Sequence, residues 1–361
     1  MKIVDFNIRV IAIPLKEPFK ISLGVIETAH SLVLELITKE GINGLGEAGP
    51  SLIVAGEHIS GQKVILEMLA KKIIGIDPLD IEKISHILKK TVPGNFAAKA
   101  AIDIAIYDII GKAYKVPLYK LFGGYHEQVE TDITIPLDDP ERMTEKAANH
   151  IKNGFKILKI KVGTNLKDDS KRIKAIREAV GSNVKLRLDA NQAWSVKEAL
   201  EHIKTIEKYD IELIEQPVLA ADLEGLAHVT KNSPIPIMAD ESVFTAEDAL
   251  KIASLKAADM INIKLMKCGG LSEAIKINTI AESAGITCML GCMVEEIGIA
   301  ILAAAHLAKG LKNITTTDLD TPFFLSDVPV KESLSIGKGR ILLSEIHGLG
   351  IKKIEYGNTI Q

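Results

Sequence analysis

The chain has 361 residues, of which 47% are hydrophobic and 25% are charged, and its net charge is -3. This length suits about two folded domains. The composition excludes collagen, coiled coils and disordered chains. Because there is no basic excess, nucleic acid is not expected as a partner.

The cysteines and the apolar segments bear on the compartment. The cysteines are Cys268, Cys288 and Cys292. They form no C-x-x-C pair, which predicts reduced thiols rather than disulfides or a four-ligand zinc site. Residues 1–15 carry Asp5 and Arg9 among alternating apolar residues, a pattern typical of a strand and not of a cleaved signal. The apolar stretch 297–308 is too short to cross a bilayer, so we expect a cytoplasmic protein with no membrane partner.

The first 124 residues predict an α+β domain. Their alternating and helical patterns predict strands over 2–14 and 31–38 and helices over 61–74, 80–88 and 96–114. Gly123 and Gly124 follow as a flexible junction. Residues 334–356 return to a strand-like alternation, and we expect them to pack against this first domain.

From about residue 130, an apolar run and a helical stretch alternate with a period of about 25 residues. The runs are 131–136, 157–162, 184–190, 212–216, 235–240, 260–265, 287–290 and 314–318. Such alternation gives parallel strands joined by helices, and eight of them predict a (β/α)8-type barrel. Two prolines within 321–329 leave no helix after the last strand, so the last unit is expected to be incomplete.

Three acidic residues end three successive strands of this predicted barrel: Asp189, Glu215 and Asp240. The carboxyl ends of barrel strands carry the active site. Converging carboxylates repel one another unless a cation lies between them. Because no His or Cys accompanies them, this oxygen-only set predicts Mg²⁺ rather than zinc.

Lysines lie on the strands before and after the acidic ones. Strand alternation turns Lys159 and Lys161 into the barrel, and it turns Lys264 inward beside Asn262. Lys161 and Lys264 should therefore face each other across a bound ligand, as two bases that serve opposite faces of one carbon. A lysine base must be neutral, and we expect a neighbouring ammonium and a dication to lower its pKa from about 10.4.

Asp318 and Asp320 end the last strand as a D-x-D sequence. Two carboxylates on one face suit a substrate ammonium. The alternative is turn or capping chemistry in the loop before Pro322.

Together these segments resemble the enolase superfamily, its muconate-lactonizing subgroup and, within it, the dipeptide epimerases. The motifs are LKIKVG, KLRLDANQAW, IEQPV, IMADESVF, INIKLMKCGG, GCMVEE and TTDLDTPFF, in the family's order over nearly the whole chain. The D-x-D sequence is the part that indicates dipeptides. The resemblance implies a (β/α)7β modified TIM barrel over 125–325, an α+β capping domain over 1–124, and a C-terminal segment over 326–361 that packs on the capping domain.

The resemblance also assigns roles to the residues. Mg²⁺ would bind Asp189, Glu215 and Asp240, while Lys161 would take the proton from the L-centre and Lys264 from the D-centre of the substrate. The implied substrate-binding residues are Thr134, Lys159, Cys292, Val294, Asp318 and Asp320. Lys159 would hold the substrate carboxylate, and Asp318 and Asp320 the α-ammonium. A homo-oligomer is also expected.

The expected activity is a 1,1-proton transfer that interconverts L-Ala-L-Xaa and L-Ala-D-Xaa. One departure bears on Xaa, because Gly24 stands where Ala-Glu epimerases carry an arginine that grips glutamate. A broad or hydrophobic Xaa is therefore expected, with glutamate still allowed.

Other activities remain open on the same residues. N-acylamino acid racemase, o-succinylbenzoate synthase and muconate cycloisomerase would use the same lysines and metal ligands. Asp318 and Asp320 favour dipeptides, since an anionic substrate without an ammonium gains nothing from two carboxylates. A barrel that only binds a ligand would not need the complete set of acids and bases.

Overall fold

The computed structural model describes residues 1–355 and the backbone of residues 359–360. A three-stranded antiparallel sheet and five helices form the N-terminal part. The strands are β1 (Ile3–Ile21), β2 (Gly24–Thr38) and β3 (Asn43–Ala48), and the helices are α1 (Leu52–Ala55), α2 (Ile59–Ile73), α3 (Ile81–Thr91), α4 (Phe96–Ala113) and α5 (Leu118–Leu121). Within the described residues, no helix is long and apolar enough to span a membrane.

Strands β1 and β2 form a hairpin that is longer than the sequence predicts. Pairing continues to Ile21 and Gly24, past a register shift between Pro14 and Phe19. The hairpin tip reaches the barrel, where Ser22 Oγ donates a hydrogen bond of 3.3 Å to the Asn191 carbonyl. The capping domain thus extends an arm over the site end of the barrel.

Strand β3 packs directly on the buried helix α4. A Cβ atom at Gly46 would lie 1.8 Å from the Ala101 carbonyl oxygen. Only glycine permits this approach of strand to helix. The close contact fixes the sheet against the helix and so positions the hairpin.

The second part is an eight-stranded parallel sheet in sequential order. After the short strand β4 (Val129–Glu130), its strands are β5 (Ile133–Ile135), β6 (Ile157–Lys161), β7 (Lys185–Asp189), β8 (Ile211–Glu215), β9 (Ile237–Ala239), β10 (Met260–Lys264), β11 (Thr287–Gly291) and β12 (Ile314–Asp318). A parallel bridge between Thr131 and Thr317 brings the first and last strands together. The sheet is therefore a nearly closed barrel, as predicted.

Helices cover the outside of the barrel between successive strands. They are α6 (Pro140–Lys152), α7 (Leu166–Val180), α8 (Val196–Ile206), α9 (Leu223–Asn232), α10 (Ala246–Leu255), α11 (Leu265–Cys268), α12 (Leu271–Ser283) and α13 (Ile299–Gly310). Among the described residues, the one helix after the last barrel strand is the four-residue α14 (Thr321–Phe324), which confirms the incomplete unit and gives a (β/α)7β barrel.

The C-terminal segment divides between the two parts. The hairpin of β13 (Ser335–Gly337) and β14 (Arg340–Leu342) pairs with β4 at the start of the barrel, which differs from the expectation that all of 334–356 lies on the first domain. Further on, Gly348 exchanges hydrogen bonds with Val116 and Leu118 of the N-terminal part. The last strand, β15 (Thr359–Ile360), pairs with β1, while residues 356–358 and 361 of the predicted segment lie outside the described residues.

A buried carboxylate from β3 joins the two parts. Glu47 accepts hydrogen bonds from the N–H groups of Ile297 and Ala300 at the start of α13 and from the Ser31 hydroxyl. A carboxylate at this position satisfies free N–H groups and interacts favourably with the helix dipole. Burial nevertheless raises the pKa of Glu47.

We predict that His306 makes the fold sensitive to acid. Its Nδ1 accepts the Tyr119 N–H at 3.1 Å and its Nε2 donates to the Leu349 carbonyl at 3.3 Å, an arrangement that requires the neutral ring. Burial lowers the pKa of His306 to about 4. The unfolded chain binds this proton near pH 6.5, so stability is lost as the pH falls from there toward 4, by about 2 kcal/mol between pH 7 and pH 5.

Urea unfolding at pH 7 and pH 5 checks this prediction. Between pH 7 and pH 5, the free energy of unfolding of His306→Gln should fall by about 2 kcal/mol less than that of the wild type. The control is His228→Gln on the exposed face of α9, which should follow the wild type. An equal pH dependence in all three proteins would contradict the role of His306.

Candidate active site

Strand register brings the predicted acids and bases to one level of the barrel. Lys161 on β6 pairs with Asp189 on β7, which pairs in turn with Glu215 on β8. Asp240 follows β9 directly, and Lys264 ends β10. The two lysines therefore lie on the strands that flank the three acidic strand ends, as the sequence predicts.

Lys159 contacts several of the acids at once. Its Nζ lies 3.0 Å from Asp189 Oδ2, 2.7 Å from Glu215 Oε2 and 2.7 Å from Asp318 Oδ2. The side chain is 3% exposed. An ammonium group thus lies between two of the predicted metal ligands.

Each of the two predicted bases pairs with a different predicted metal ligand. Lys161 Nζ lies 2.6 Å from Asp189 Oδ2 and donates to Asn191 Oδ1 at 3.0 Å. Lys264 Nζ lies 2.8 Å from Asp240 Oδ2. The two amines are held on opposite sides of the acidic group.

The carboxylates influence one another strongly. Burial raises the pKa of Asp189, but the ammoniums of Lys159 and Lys161 outweigh burial and hold it below its usual value. Burial and the negative charge of Asp189 raise the pKa of Glu215 to about 8. The protein's own lysines therefore do not neutralise all of the negative charge that converges here.

The expectation of a lowered lysine pKa is not met at Lys264 among the protein groups alone. Burial lowers the pKa of its ammonium, but the carboxylates of Asp240 and Glu215 outweigh burial and raise it above its usual value. Both carboxylates come from strands other than that of Lys264. A base at this position requires the carboxylates to be neutralised by another cation.

The donor set fits a magnesium ion by its chemistry. Asp189, Glu215 and Asp240 are fully buried and supply only oxygen. Glu215 Oε2 and Asp240 Oδ1 each contact one lysine ammonium, that of Lys159 at 2.7 Å and that of Lys267 at 2.5 Å, and each carboxylate oxygen has a further lone pair for a cation. Mg²⁺ prefers such oxygen ligands.

A second acidic group lies beside this set. Within residues 1–355, Asp132, Asp318 and Asp320 form a group of three acids in which one oxygen of each lies within 4.8 Å of the other two. The three predicted metal ligands do not form such a group. The Lys159 ammonium contacts Asp189 and Glu215 of the predicted metal ligands and Asp318 of the second group. The two groups share Lys159 as a common neighbour.

Asp320 is oriented by the first barrel strand. The Thr134 N–H donates to its Oδ2 at 2.6 Å, and the Cys292 thiol lies 4.0 Å from its Oδ1. Burial and the charge of Asp318 raise the pKa of Asp320 to about 7. A positive charge beside Asp320 would therefore stabilise its ionised form.

A small cavity of about 50 Å³ lies above these groups. Both predicted bases line it, together with Lys159, Asp318 and Asp320. The predicted residues Thr134, Cys292 and Val294 also line it, whereas the three predicted metal ligands lie beneath. Its apolar lining is Phe19, Ile21, Ile26, Val54, Met293 and Val294.

A larger cavity of about 580 Å³ opens at the opposite end of the barrel. Arg187 and Glu212 line it, and none of the predicted site residues does. Since barrel active sites lie at the carboxyl ends of the strands, the smaller cavity is the candidate active site.

Two buried charged residues of this region escaped the sequence analysis. Lys267 is fully buried, and its Nζ lies 2.5 Å from Asp240 Oδ1 and contacts the Asp240 carbonyl. Asp132 is fully buried behind Asp318 and Asp320. The available signal was a charged residue in an otherwise apolar or β-branched run, as in TDIT and LMKC.

Two family models match the chain. The mandelate racemase/muconate lactonizing enzyme N-terminal domain matches residues 4–123, and the enolase C-terminal domain-like model matches residues 142–355. The chain is 52% identical to the hydrophobic dipeptide epimerase of Enterococcus faecalis, over 97% of this chain and 99% of that protein.

Solved structures agree in fold over nearly the full length. The dipeptide epimerase from Enterococcus faecalis V583, complexed with Mg and L-Leu-L-Tyr, has a TM-score of 0.95 at 51% identity and covers 97% of this chain and 99% of its own. The substrate-liganded L-Ala-D/L-Glu epimerase from Bacillus subtilis has a TM-score of 0.96 at 42% identity, with 98% and 100% covered. This chain therefore belongs to the mandelate racemase/muconate lactonizing enzyme family of the enolase superfamily.

Proposed function

We propose that the protein is a Mg²⁺-dependent dipeptide epimerase that interconverts L-Ala-L-Xaa and L-Ala-D-Xaa and prefers a hydrophobic Xaa. The observation that carries this proposal is the position of Lys161 and Lys264 on opposite sides of three buried carboxylates, below a cavity that is partly lined by apolar side chains of the capping domain. The relatives described above support the reaction class.

Asp189, Glu215 and Asp240 would hold the metal. Bound Mg²⁺ supplies positive charge that neutralises these carboxylates and stabilises negative charge on the substrate carboxylate. Lys161 takes the α-proton of Xaa from the L-centre, and Lys264 gives a proton to the opposite face. In the reverse direction the two lysines exchange these roles.

The remaining polar residues orient the dipeptide. The Lys159 ammonium faces the charge that develops at the substrate carboxylate as the α-proton leaves. Asp318 and Asp320 bind the α-ammonium, with Asp320 held by the Thr134 N–H at 2.6 Å. Binding at both ends fixes the α-carbon of Xaa between the two amines.

The preference for a hydrophobic Xaa rests on the capping hairpin and helix α1. Phe19, Ile21 and Ile26 of the hairpin and Val54 of α1 present apolar side chains to the cavity. Gly24 at the hairpin tip has no side chain that could bind a carboxylate. A glutamate side chain would therefore lose its hydration without gaining an ion pair. We also propose a homo-oligomer in the cytoplasm with no nucleic-acid partner.

Turnover in D2O tests the proposed function. With Mg²⁺ present, L-Ala-L-Leu should gain one deuterium at the leucine α-carbon and epimerise to L-Ala-D-Leu, as followed by mass shift and NMR. We expect kcat/KM for L-Ala-L-Leu to exceed that for L-Ala-L-Glu by about tenfold or more, because a desolvated, unpaired carboxylate costs more than 1 kcal/mol. Epimerised product without solvent deuterium, or no exchange with any L-Ala-L-Xaa dipeptide, would contradict the proposal.

A further inference from the structure

A row of alternating charges runs through the barrel beneath the proposed ammonium site. Glu212 lines the larger cavity at the end of the barrel away from the candidate active site, and it pairs with Arg187. The guanidinium of Arg187 also pairs with Asp132. A carboxylate oxygen of Asp132 lies within 4.8 Å of oxygens of Asp318 and Asp320. We call Asp132, Asp318 and Asp320 the Asp cluster.

Arg187 fixes Asp132 from below. Its Nη1 lies 2.7 Å from Asp132 Oδ2 and 3.2 Å from the Thr317 carbonyl, and its Nη2 contacts Thr316 Oγ1. Its Nε lies 2.6 Å from Glu212 Oε2. With all three of its guanidinium nitrogens bonded and its side chain 2% exposed, Arg187 is a rigid support.

The second carboxylate oxygen of Asp132 does not contact Arg187. Its Oδ1 is buried and has no hydrogen-bond partner among the described residues. A buried carboxylate oxygen without a partner carries a large desolvation cost, so its presence calls for a reason. Asp132 does not line the cavity and cannot touch a substrate there.

The Asp cluster has more negative than positive charge. Lys159 pairs with Asp318 at 2.7 Å, but it also pairs with Asp189 and Glu215. Arg187 pairs with Asp132, but it also pairs with Glu212. Among the described residues, no lysine or arginine pairs with Asp320. Burial and the charge of Asp318 raise the pKa of Asp132 and of Asp320, and a ligand that brings a positive charge would stabilise their ionised forms.

We propose that Asp132 is a positioning residue that makes the site selective for a free α-ammonium. This inference rests on the proposed function. The carboxylate of Asp132 keeps the positive charge of Arg187 paired and away from Asp318 and Asp320. Without that carboxylate, the guanidinium charge would face Asp318 directly and would compete with the substrate ammonium.

The test compares two ligands that differ only in the amine. L-Ala-L-Leu carries the ammonium, and N-propionyl-L-leucine is the same molecule without it. Asp132→Asn keeps the shape of the side chain and removes its ability to ionise. We expect KM for L-Ala-L-Leu to rise about tenfold, kcat to stay within about threefold, and the inhibition constant of N-propionyl-L-leucine to stay the same or to fall.

The matched control is Glu212→Gln, which removes the other partner of Arg187 on the side away from the Asp cluster and should leave both constants as in the wild type. Equal loss of affinity for both ligands in Asp132→Asn, or no loss for either, would overturn the proposal. If Asp132→Asn does not fold, as judged by circular dichroism, Asp132→Ser gives the same neutral comparison. A wild type inactive on all dipeptides would instead refute the proposed function.

Discussion

Lys264→Ala is expected to abolish epimerisation of L-Ala-L-Leu while leaving exchange of its leucine α-proton with D2O. In this variant Lys161 still removes the proton from the L-centre and returns a deuteron to the same face, but no base serves the opposite face. The rate of inversion should fall by about 10³-fold or more, since a positioned acid–base group contributes roughly 10² to 10⁴.

Lys161→Ala should show the reverse pattern. It should exchange the α-proton of L-Ala-D-Leu and leave that of L-Ala-L-Leu untouched. The measurement is the deuterium content of each diastereomer by NMR. This pairing of variant and substrate separates loss of one base from general damage, which would reduce exchange from both diastereomers.

Both variants should fold, because each leaves its acid with another cation. Asp189 keeps Lys159 at 3.0 Å, and Asp240 keeps Lys267 at 2.5 Å. Lys231→Ala, on the exposed part of α9, is the control and should behave as the wild type. Full inversion in either active-site variant would remove that lysine from the mechanism.

Glu215→Gln is expected to weaken Mg²⁺ binding strongly and to lower activity with it. One of three charged ligands is lost, so the Mg²⁺ concentration required for half-maximal activity should rise about 100-fold. Thermal unfolding gives a reading that does not depend on activity. Mg²⁺ should raise the Tm of the wild type and should fail to raise that of the variant at the same concentration, because a ligand stabilises only a fold that binds it.

In the presence of EDTA the variant should be no less stable than the wild type. Burial and the charge of Asp189 raise the pKa of Glu215 to about 8, so the protein groups alone favour a neutral side chain at this position. Glu212→Gln is the matched control, because it lies on the same strand at the opposite end of the barrel and should keep the wild-type response to Mg²⁺. A wild type that stays fully active in EDTA would contradict the metal requirement.

The barrel and its acids could be predicted because they depend on local periodicity. Alternation within LKIKVG already turns Lys159 and Lys161 inward, and equal spacing of the strands places Asp189 and Glu215 at one level. The length of the capping hairpin is greater than the sequence predicts, also for a local reason. Pro14 and Pro18 interrupt the alternation, yet the strand continues past a register shift, where missing N–H groups are tolerated.

Contacts between distant segments could not be predicted in the same way. Asp132 meets Arg187 55 positions later and Asp318 still further along the chain, so its role depends on closure of the barrel. Lys267 lies in a one-turn helix after β10, and nothing in its immediate sequence shows that it bends back to Asp240. The effect of the carboxylates on the pKa of Lys264 could not be predicted either, because they come from other strands.

The attachment of the hairpin tip determines how a dipeptide can enter. The cavity has room for only a few water molecules, so part of its wall must move to make room for a dipeptide. The buried Glu47 contacts tie the capping sheet firmly to α13, whereas the end of the arm is held to the barrel by Ser22, through long hydrogen bonds of 3.3 and 3.5 Å, and by the Leu137 N–H, which donates to the Lys20 carbonyl at 3.0 Å. We therefore expect entry and release to need a lifting of the end of the arm, which breaks these few hydrogen bonds and leaves the Glu47 contacts in place.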